Sequence, residues 1–288
     1  MERLTNISAV REILSRHGFT FSKALGQNFL INPSVCPRMA EAAITDDNTG
    51  ILEIGPGIGV LTNELCLRAK KVVAVELDKR LIPVLSETLG EYNNLKVINA
   101  DVMALDLNKL IEEEFGGMRV AVCANLPYYI TSPILMKLLE DRLPIDSITV
   151  MVQKEAALRL CAEEGARDSS AITLAVRYYA SPELLFHVSA GSFMPAPKVD
   201  SAVIQLTLRK PEYPPKDEKL MFRVIKAAFS QRRKTISNSI ASGMSLDKSE
   251  LRDILEEARA QPTARAEKLT LRDYARIADV MTEGGYHG

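Results

Sequence analysis

Cysteine and histidine are scarce in this chain. Cys36, Cys66, Cys123 and Cys161 are widely spaced and form no CxxC pair, and the histidines are His17, His187 and His287 alone. A zinc site or a catalytic Cys–His pair has no framework here, so reduced, mostly buried thiols and no metal are expected. Long apolar runs are missing too. Nothing approaches the ~20 residues of a membrane-spanning helix, so no membrane partner is expected. The opening MERLTNISAV carries Glu2 and no apolar h-region, which fits neither a signal peptide nor a basic transit peptide and gives a cytosolic location as the expectation.

What is present suits ordinary globular domains. At 288 residues, with 47% hydrophobic and 25% charged, the chain has enough core for two domains without disulfides, and its composition excludes disordered and collagen-like classes. The formal net charge is −1, but it is unevenly placed: residues 1–208 hold 20 Lys+Arg against 25 Asp+Glu, and residues 209–288 hold 16 against 12. A basic final segment suggests that this part faces a polyanion, although solvated helix faces give the same asymmetry.

Short β-branched runs recur through the first half, at 50–54, 71–75, 95–98, 119–123 and 146–152. Segments with helical spacing lie between them, as at Val60, Leu61, Glu64, Leu65 and Arg68, or with apolar residues at Leu81, Ile82, Leu85 and Leu89. Continuously apolar strands alternating with helices predict a doubly wound α/β core with a mostly parallel sheet covered on both faces. Ahead of it, Ile7, Val10, Ile13 and Leu14 share one face of a helix ended by Gly18, and Pro33 opens a second helix to about Ala43. Further strands are expected at 184–188 and 201–208. The run Pro211-Glu212-Tyr213-Pro214-Pro215 suits neither helix nor strand and coincides with the change in charge. It places a boundary between a domain of residues 1–210 and an all-helical domain of 211–288, with helices over 219–229, 232–241, 248–258 and 271–281.

The first strand runs into Glu53-Ile54-Gly55-Pro56-Gly57-Ile58-Gly59 and then a helix. Glycines so placed allow a tight turn and close approach of a ligand to the backbone. The spacing is GxGxG, not the GxGxxG of the dinucleotide fingerprint. Glu76 ends the second strand, 21 residues after Gly55, where a carboxylate can accept from both ribose hydroxyls. Asp101, after the third strand, is placed to accept from an exocyclic amine. Either acid alone is more often a cap or turn residue; on successive strand ends they indicate a nucleoside-containing cofactor, with NAD and S-adenosylmethionine both open at this point.

The fourth strand decides between them by ending in Asn125-Leu126-Pro127-Tyr128. An adenine N6 or cytosine N4 is a poor nucleophile because its lone pair is delocalised into the ring. Two acceptors aimed at the amino hydrogens, the Asn125 amide oxygen and the Leu126 carbonyl, favour a tetrahedral nitrogen with a localised pair. Pro127 fixes the turn, and Tyr128 offers a ring for the extruded base to stack on.

Here the sequence resembles the rRNA adenine N6-dimethyltransferase family, and within it the bacterial branch that modifies two adjacent adenosines near the 3′ end of small-subunit (16S) rRNA. The matching segments are Leu25-Gly26-Gln27-Asn28-Phe29-Leu30, the glycine-rich loop, Glu76-Leu77-Asp78, Asn125-Leu126-Pro127-Tyr128-Tyr129, Met151-Val152-Gln153-Lys154-Glu155 and Phe193-Met194-Pro195-Ala196-Pro197-Lys198-Val199-Asp200-Ser201. Two tail motifs, from Ala228 to Thr235 and from Arg265 to Leu271, match as well and separate this branch from the related antibiotic-resistance methylases. The departures are Asn32, where many relatives carry an acid, and Asp168-Ser169-Ser170 in place of an aromatic–glycine pair. The resemblance implies a Rossmann-like class I methyltransferase domain that uses S-adenosylmethionine. It implies cofactor contacts from Asn28, Leu30, Gly55, Glu76, Asp101 and Asn125, and Phe193 as the second aromatic wall of the target pocket. It also implies an immature small ribosomal subunit as substrate, with the enzyme a monomer.

Binding to RNA is expected to rest on phosphates, with Arg223, Lys226, Arg232, Arg233 and Lys234 as the candidates. A nucleic-acid-binding assembly factor that keeps the fold and uses catalysis secondarily is the alternative from another class. An oxidoreductase is third, disfavoured by the loop spacing and the target-base motif.

Overall fold

The computed structural model describes residues 2–20, 27–231 and 233–288. Leu25 and Gly26 of the N-terminal motif, and Arg232 among the basic candidates, lie outside the described residues. The chain divides into two compact units, one of residues 1–157 with 182–208 and one of 158–181 with 209–288. The second unit therefore takes in a segment, 158–181, that the sequence pattern assigned to the first.

The first unit holds a seven-stranded sheet of β1 (Thr49–Ile54), β2 (Lys71–Glu76), β3 (Leu95–Asn99), β4 (Arg119–Asn125), β5 (Ser147–Gln153), β6 (Ala180–Val188) and β7 (Ser201–Leu208). Their order is β3-β2-β1-β4-β5-β7-β6. The first five run parallel, with Ile51 opposite Val72 and Ala121, and β7 is antiparallel to β5, with Val150 opposite Ile204. Every residue of β1 is buried, as a strand covered on both faces requires. All five expected parallel strands are present to within a residue or two of their expected ends. β6 begins earlier than expected, at Ala180.

Connections between these strands are the expected helices, among them Val60–Cys66, Ile82–Leu89, Leu107–Phe115 and Thr131–Glu140. Helices Ile7–Arg16 and Val35–Ala43 precede the sheet; the second begins two residues after Pro33 and buries Cys36, Met39, Ala40 and Ala43. A separate antiparallel ribbon pairs Phe29 with Met194 and Leu30 with Phe193. It ties the N-terminal segment to the proline-bearing loop, reinforced by Ile31 N–H donating to the Ser192 carbonyl at 2.8 Å and by Asn32 Nδ2 donating to Ser192 Oγ at 3.1 Å.

The second unit is helical: Ala171–Tyr179, Glu218–Phe229, Ile236–Met244, Lys248–Glu257 and Leu271–Glu283. Tyr178 and Tyr179 explain why 158–181 belongs here. Both hydroxyls donate to Glu218 at 2.8 Å, and the Tyr179 ring stacks on Phe222 at 5.7 Å. The helix expected from residue 232 starts instead at Ile236, because Thr235 is extended, with φ −72° and ψ 157°. Among the described residues no helix is long and apolar enough to cross a membrane.

Candidate active site

Parallel register brings the carboxyl ends of β1 to β4 side by side: Ile54 lies opposite Val75, Glu76 opposite Asn99 and Glu53 opposite Cys123. One cavity opens there, walled by 27–30, 54–58, 75–77, 100–102 and 125–130. It lies between β1 and β4, where the strand order reverses, the usual ligand crevice of an open α/β sheet.

The glycine loop forms its rim. Gly55 has φ +70°, and a Cβ built there meets no heavy atom within 4 Å, so glycine is needed for the backbone turn while the space beyond stays open to a ligand. Gly59 has φ +92°, and a Cβ there would stand 2.6 Å from Leu89 Cδ1, so conformation and packing both exclude a side chain.

Glu76 is 6% exposed. Its Oε2 accepts from the Gly57 N–H at 3.2 Å and its Oε1 from the Asp78 N–H at 2.8 Å, which lock the carboxylate beside the loop. Burial raises its pKa above the ordinary carboxylate range, partly offset by those N–H donors. Asp78 goes the other way, drawn down to about 2, first by the Arg80 guanidinium and also by Gln27. Gln27 Nε2 donates to Asp78 Oδ2 at 2.9 Å, and this bond ties the N-terminal segment to the cavity edge. Asp101 is exposed; its Oδ1 accepts from the Met103 N–H at 2.9 Å, a turn that holds it on the rim.

Across the crevice β4 delivers Asn125. The Leu126 N–H donates to the Met151 carbonyl at 3.3 Å, continuing the sheet pairing one residue past the strand. The Pro127 carbonyl accepts from the Ile130 N–H at 3.2 Å and from Thr131 Oγ1 at 3.1 Å. Among the described residues, by contrast, neither the Asn125 side chain nor the Leu126 carbonyl is engaged in a hydrogen bond. The turn consumes one carbonyl to hold its shape and leaves the two expected acceptors unclaimed. Tyr128 is half-buried, and its hydroxyl shares a hydrogen bond with Ser201 Oγ at 2.7 Å, which fixes the ring; burial pushes its pKa up.

The cavity thus gathers Asn28, Leu30, Gly55, Glu76, Asp101, Asn125, Leu126, Pro127 and Tyr128. Phe193, expected as a second aromatic wall, does not line it. Its ring is 3% exposed within the hydrophobic core, because pairing with Leu30 in the ribbon turns it inward. The more exposed neighbour on the cavity wall is Tyr129, 55% exposed. Sequence reasoning also passed over Ser201, Gln27 and Glu53. For Glu53 there was a signal, a lone acid inside the apolar run Ile51-Leu52-Glu53-Ile54.

In the second unit Arg223 and Lys226 are exposed on helix Glu218–Phe229, whose opposite face buries Leu220, Val224 and Ile225. Arg223 donates to the His287 carbonyl at 2.6 Å. Arg233 and Lys234 are exposed, and Lys234 shares a polar cleft with Lys248, Gln231, Asn238 and Ser242.

Sheet order, glycine loop and strand-end acids together define a Rossmann-like methyltransferase domain. The sequence profile of the ribosomal RNA adenine dimethylase family matches residues 18–283, and the chain belongs to that family. It is 46% identical over 98% of its length to a protein of Alkaliphilus oremlandii named ribosomal RNA small subunit methyltransferase A, covering 99% of that protein. It is 47% identical over 94% of its length to one of the same name from Lachnoclostridium phytofermentans, covering 95% of it. Among solved structures it resembles a dimethyladenosine transferase from Plasmodium falciparum, with TM-score 0.72, 26% identity and coverage of 90% of this chain and 98% of that one. The 23S rRNA methyltransferase ErmE follows at TM-score 0.66 and 27% identity, over 88% of this chain and 100% of that one.

Proposed function

We propose that this chain transfers methyl groups from S-adenosylmethionine to N6 of two adjacent adenosines in the 3′-terminal hairpin of small-subunit rRNA, giving N6,N6-dimethyladenosine. The observation that carries this reading is the pair of unclaimed acceptors, the Asn125 amide and the Leu126 carbonyl, on the wall of the strand-end cavity. The residues present fit the cofactor. Gly55 leaves open space at the loop, and Glu76 offers a carboxylate already oriented by two backbone N–H groups. Glu76 would hold the ribose, Asp101 the adenine amine, and Asn28 and Leu30 the amino-acid end.

When bound, S-adenosylmethionine supplies an electrophilic methyl on a cationic sulfur. The protein's part is to orient the nucleophile in line with it. Asn125 and Leu126 accept from the two amino hydrogens of the target base and draw its nitrogen toward tetrahedral geometry. Tyr128, held by Ser201, supports the base by stacking. The alkylated nitrogen is strongly acidic and sheds its proton without a dedicated base, consistent with the neutral side chains around it. A second transfer needs the N6-methyl group turned aside while the remaining N–H still meets one of the two acceptors.

An immature small subunit is the proposed substrate particle, met by the exposed cations Lys226, Arg233 and Lys234 through phosphate contacts. Incubation with radiolabelled S-adenosylmethionine and immature small subunits, followed by nucleoside analysis, tests the reading. Label in N6,N6-dimethyladenosine at two neighbouring positions is the expected result; label in any other nucleoside, or none, refutes it.

A further inference from the structure

The residues that line the strand-end cavity are buried or half-buried, with three exceptions: Leu77 and Asp101, which follow β2 and β3, and Tyr129, which follows β4. These three exposed residues mark where the cavity meets solvent. Leu77 and Asp101 stand on the half that the proposed reading gives to the cofactor. Tyr129 is the exposed residue on the half given to the target base. At 55% exposed it leaves a large aromatic surface in water, and its hydroxyl makes no hydrogen bond among the described residues. A lone exposed aromatic elsewhere on a protein surface needs no explanation, but this one rims a ligand cavity.

Its place in the chain is also unusual. The Pro127 carbonyl accepts from the Ile130 N–H at 3.2 Å, which puts Tyr128 and Tyr129 at the two central positions of one turn. Gly, Asn, Asp and Ser dominate such positions, and a pair of aromatics there departs from the local rule, as functional sites do. The two rings differ in their surroundings. Tyr128 is half-buried and pinned to Ser201 Oγ at 2.7 Å, as a fixed platform for one base requires. Tyr129 has no such anchor, so its ring can settle against whatever lies at the mouth.

A target base drawn into the cavity arrives on a polynucleotide. Its ribose and phosphates stay at the mouth, and the next nucleotide hangs one phosphodiester link away. Extrusion has also stripped that neighbour of a stacking partner on one face. We infer that Tyr129 replaces that partner: its ring is a stacking site for the nucleobase next to the target adenine. This inference rests on the proposed function and extends it from the target base to the flanking nucleotide. Stacking on an aromatic ring tolerates any base, so Tyr129 serves in turn for each of two adjacent adenosines. Because the ring stands on one side of the cavity, it takes the neighbour from one side of the strand only, 5′ or 3′.

A double-mutant cycle between protein and RNA tests this with the full chain. The substrates are immature small subunits reconstituted with rRNA in which the 5′ or the 3′ neighbour of one target adenosine is an abasic ribose. The readout is kcat/KM for transfer to that adenosine. With the native chain, loss of the neighbouring base on one side should slow transfer about 5- to 100-fold, the range expected for one base–aromatic stack. Tyr129→Ala should show a similar loss on intact RNA, and less than about twofold further loss on the abasic RNA. Tyr129→Phe keeps the ring and should restore the dependence on the neighbouring base, whereas Tyr129→Leu keeps apolar bulk alone and should behave as alanine. Additive losses from Tyr129→Ala and the abasic site, or a leucine variant with native dependence, overturn the assignment. So does equal transfer by the native chain with and without either neighbouring base, a comparison that needs no variant to fold. Failure of the native chain to methylate the intact RNA would instead overturn the proposed function itself.

Discussion

Replacing Asn125 by alanine removes one of the two acceptors that aim at the target amino group while leaving Leu126, Pro127 and the β4–β5 pairing in place. The Asn125 side chain makes no hydrogen bond among the described residues, so its loss should cost the fold little. Its contribution arises as positive charge develops on N6 during attack. By analogy with removal of a single oriented dipole from a site that stabilises developing charge, the rate of methyl transfer should fall about 10²–10³-fold, or about 3–4 kcal/mol of barrier. Cofactor affinity should change by less than about fivefold, roughly 1 kcal/mol. Asn125→Asp sharpens the test, since aspartate keeps an acceptor at the same reach but lacks the amide N–H₂. If accepting is the role, the aspartate variant recovers at least about tenfold of the alanine loss. Single-turnover transfer from labelled cofactor to immature subunits, beside calorimetric cofactor binding, separates the two effects. Transfer at the native rate in Asn125→Ala, or an aspartate variant as slow as alanine, would refute the reasoning.

Three further outcomes follow from the same geometry. Glu76→Ala should weaken cofactor binding by about 10²-fold or more, since two hydrogen bonds to a charged acceptor are worth roughly 1.5–3 kcal/mol each, and an unchanged calorimetric affinity would remove the ribose assignment. Gly59→Ala should destabilise the protein by about 1–3 kcal/mol in urea unfolding, because its positive φ and the 2.6 Å approach to Leu89 both oppose a Cβ; a midpoint equal to that of the native chain would show that the loop relaxes freely. Charge reversal at Arg233 and Lys234 should lower affinity for RNA or the subunit and flatten its salt dependence by about one unit of slope per lost phosphate contact, with free-cofactor binding untouched; an unaltered salt slope would place the nucleic acid elsewhere.

The parts of this molecule that could be read from its sequence are those whose position follows from one strand or one turn. β1 to β5 announce themselves as short apolar runs, and a parallel sheet puts their carboxyl ends on one edge whatever the side chains between them do. Gly55, Glu76, Asp101 and Asn125 were therefore legible as a group, because each sits within two residues of a strand end. Phe193 was not, since its direction depends on the ribbon it forms with Leu30 across more than 160 residues of chain, and no local pattern carries that pairing. The segment 158–181 was misassigned for a similar reason: Tyr178 and Tyr179 join the second unit through Glu218 and Phe222, and nothing near them in sequence indicates it. Glu53 is a different case. Its local context was visible, an acid amid Ile51, Leu52 and Ile54, but periodicity treats such a residue as an imperfection in a strand. Only its full burial on the lining of the ligand cavity makes it a feature of the site. Evidence for function in this chain therefore lies where the local rules of strand formation are broken as much as where they are obeyed.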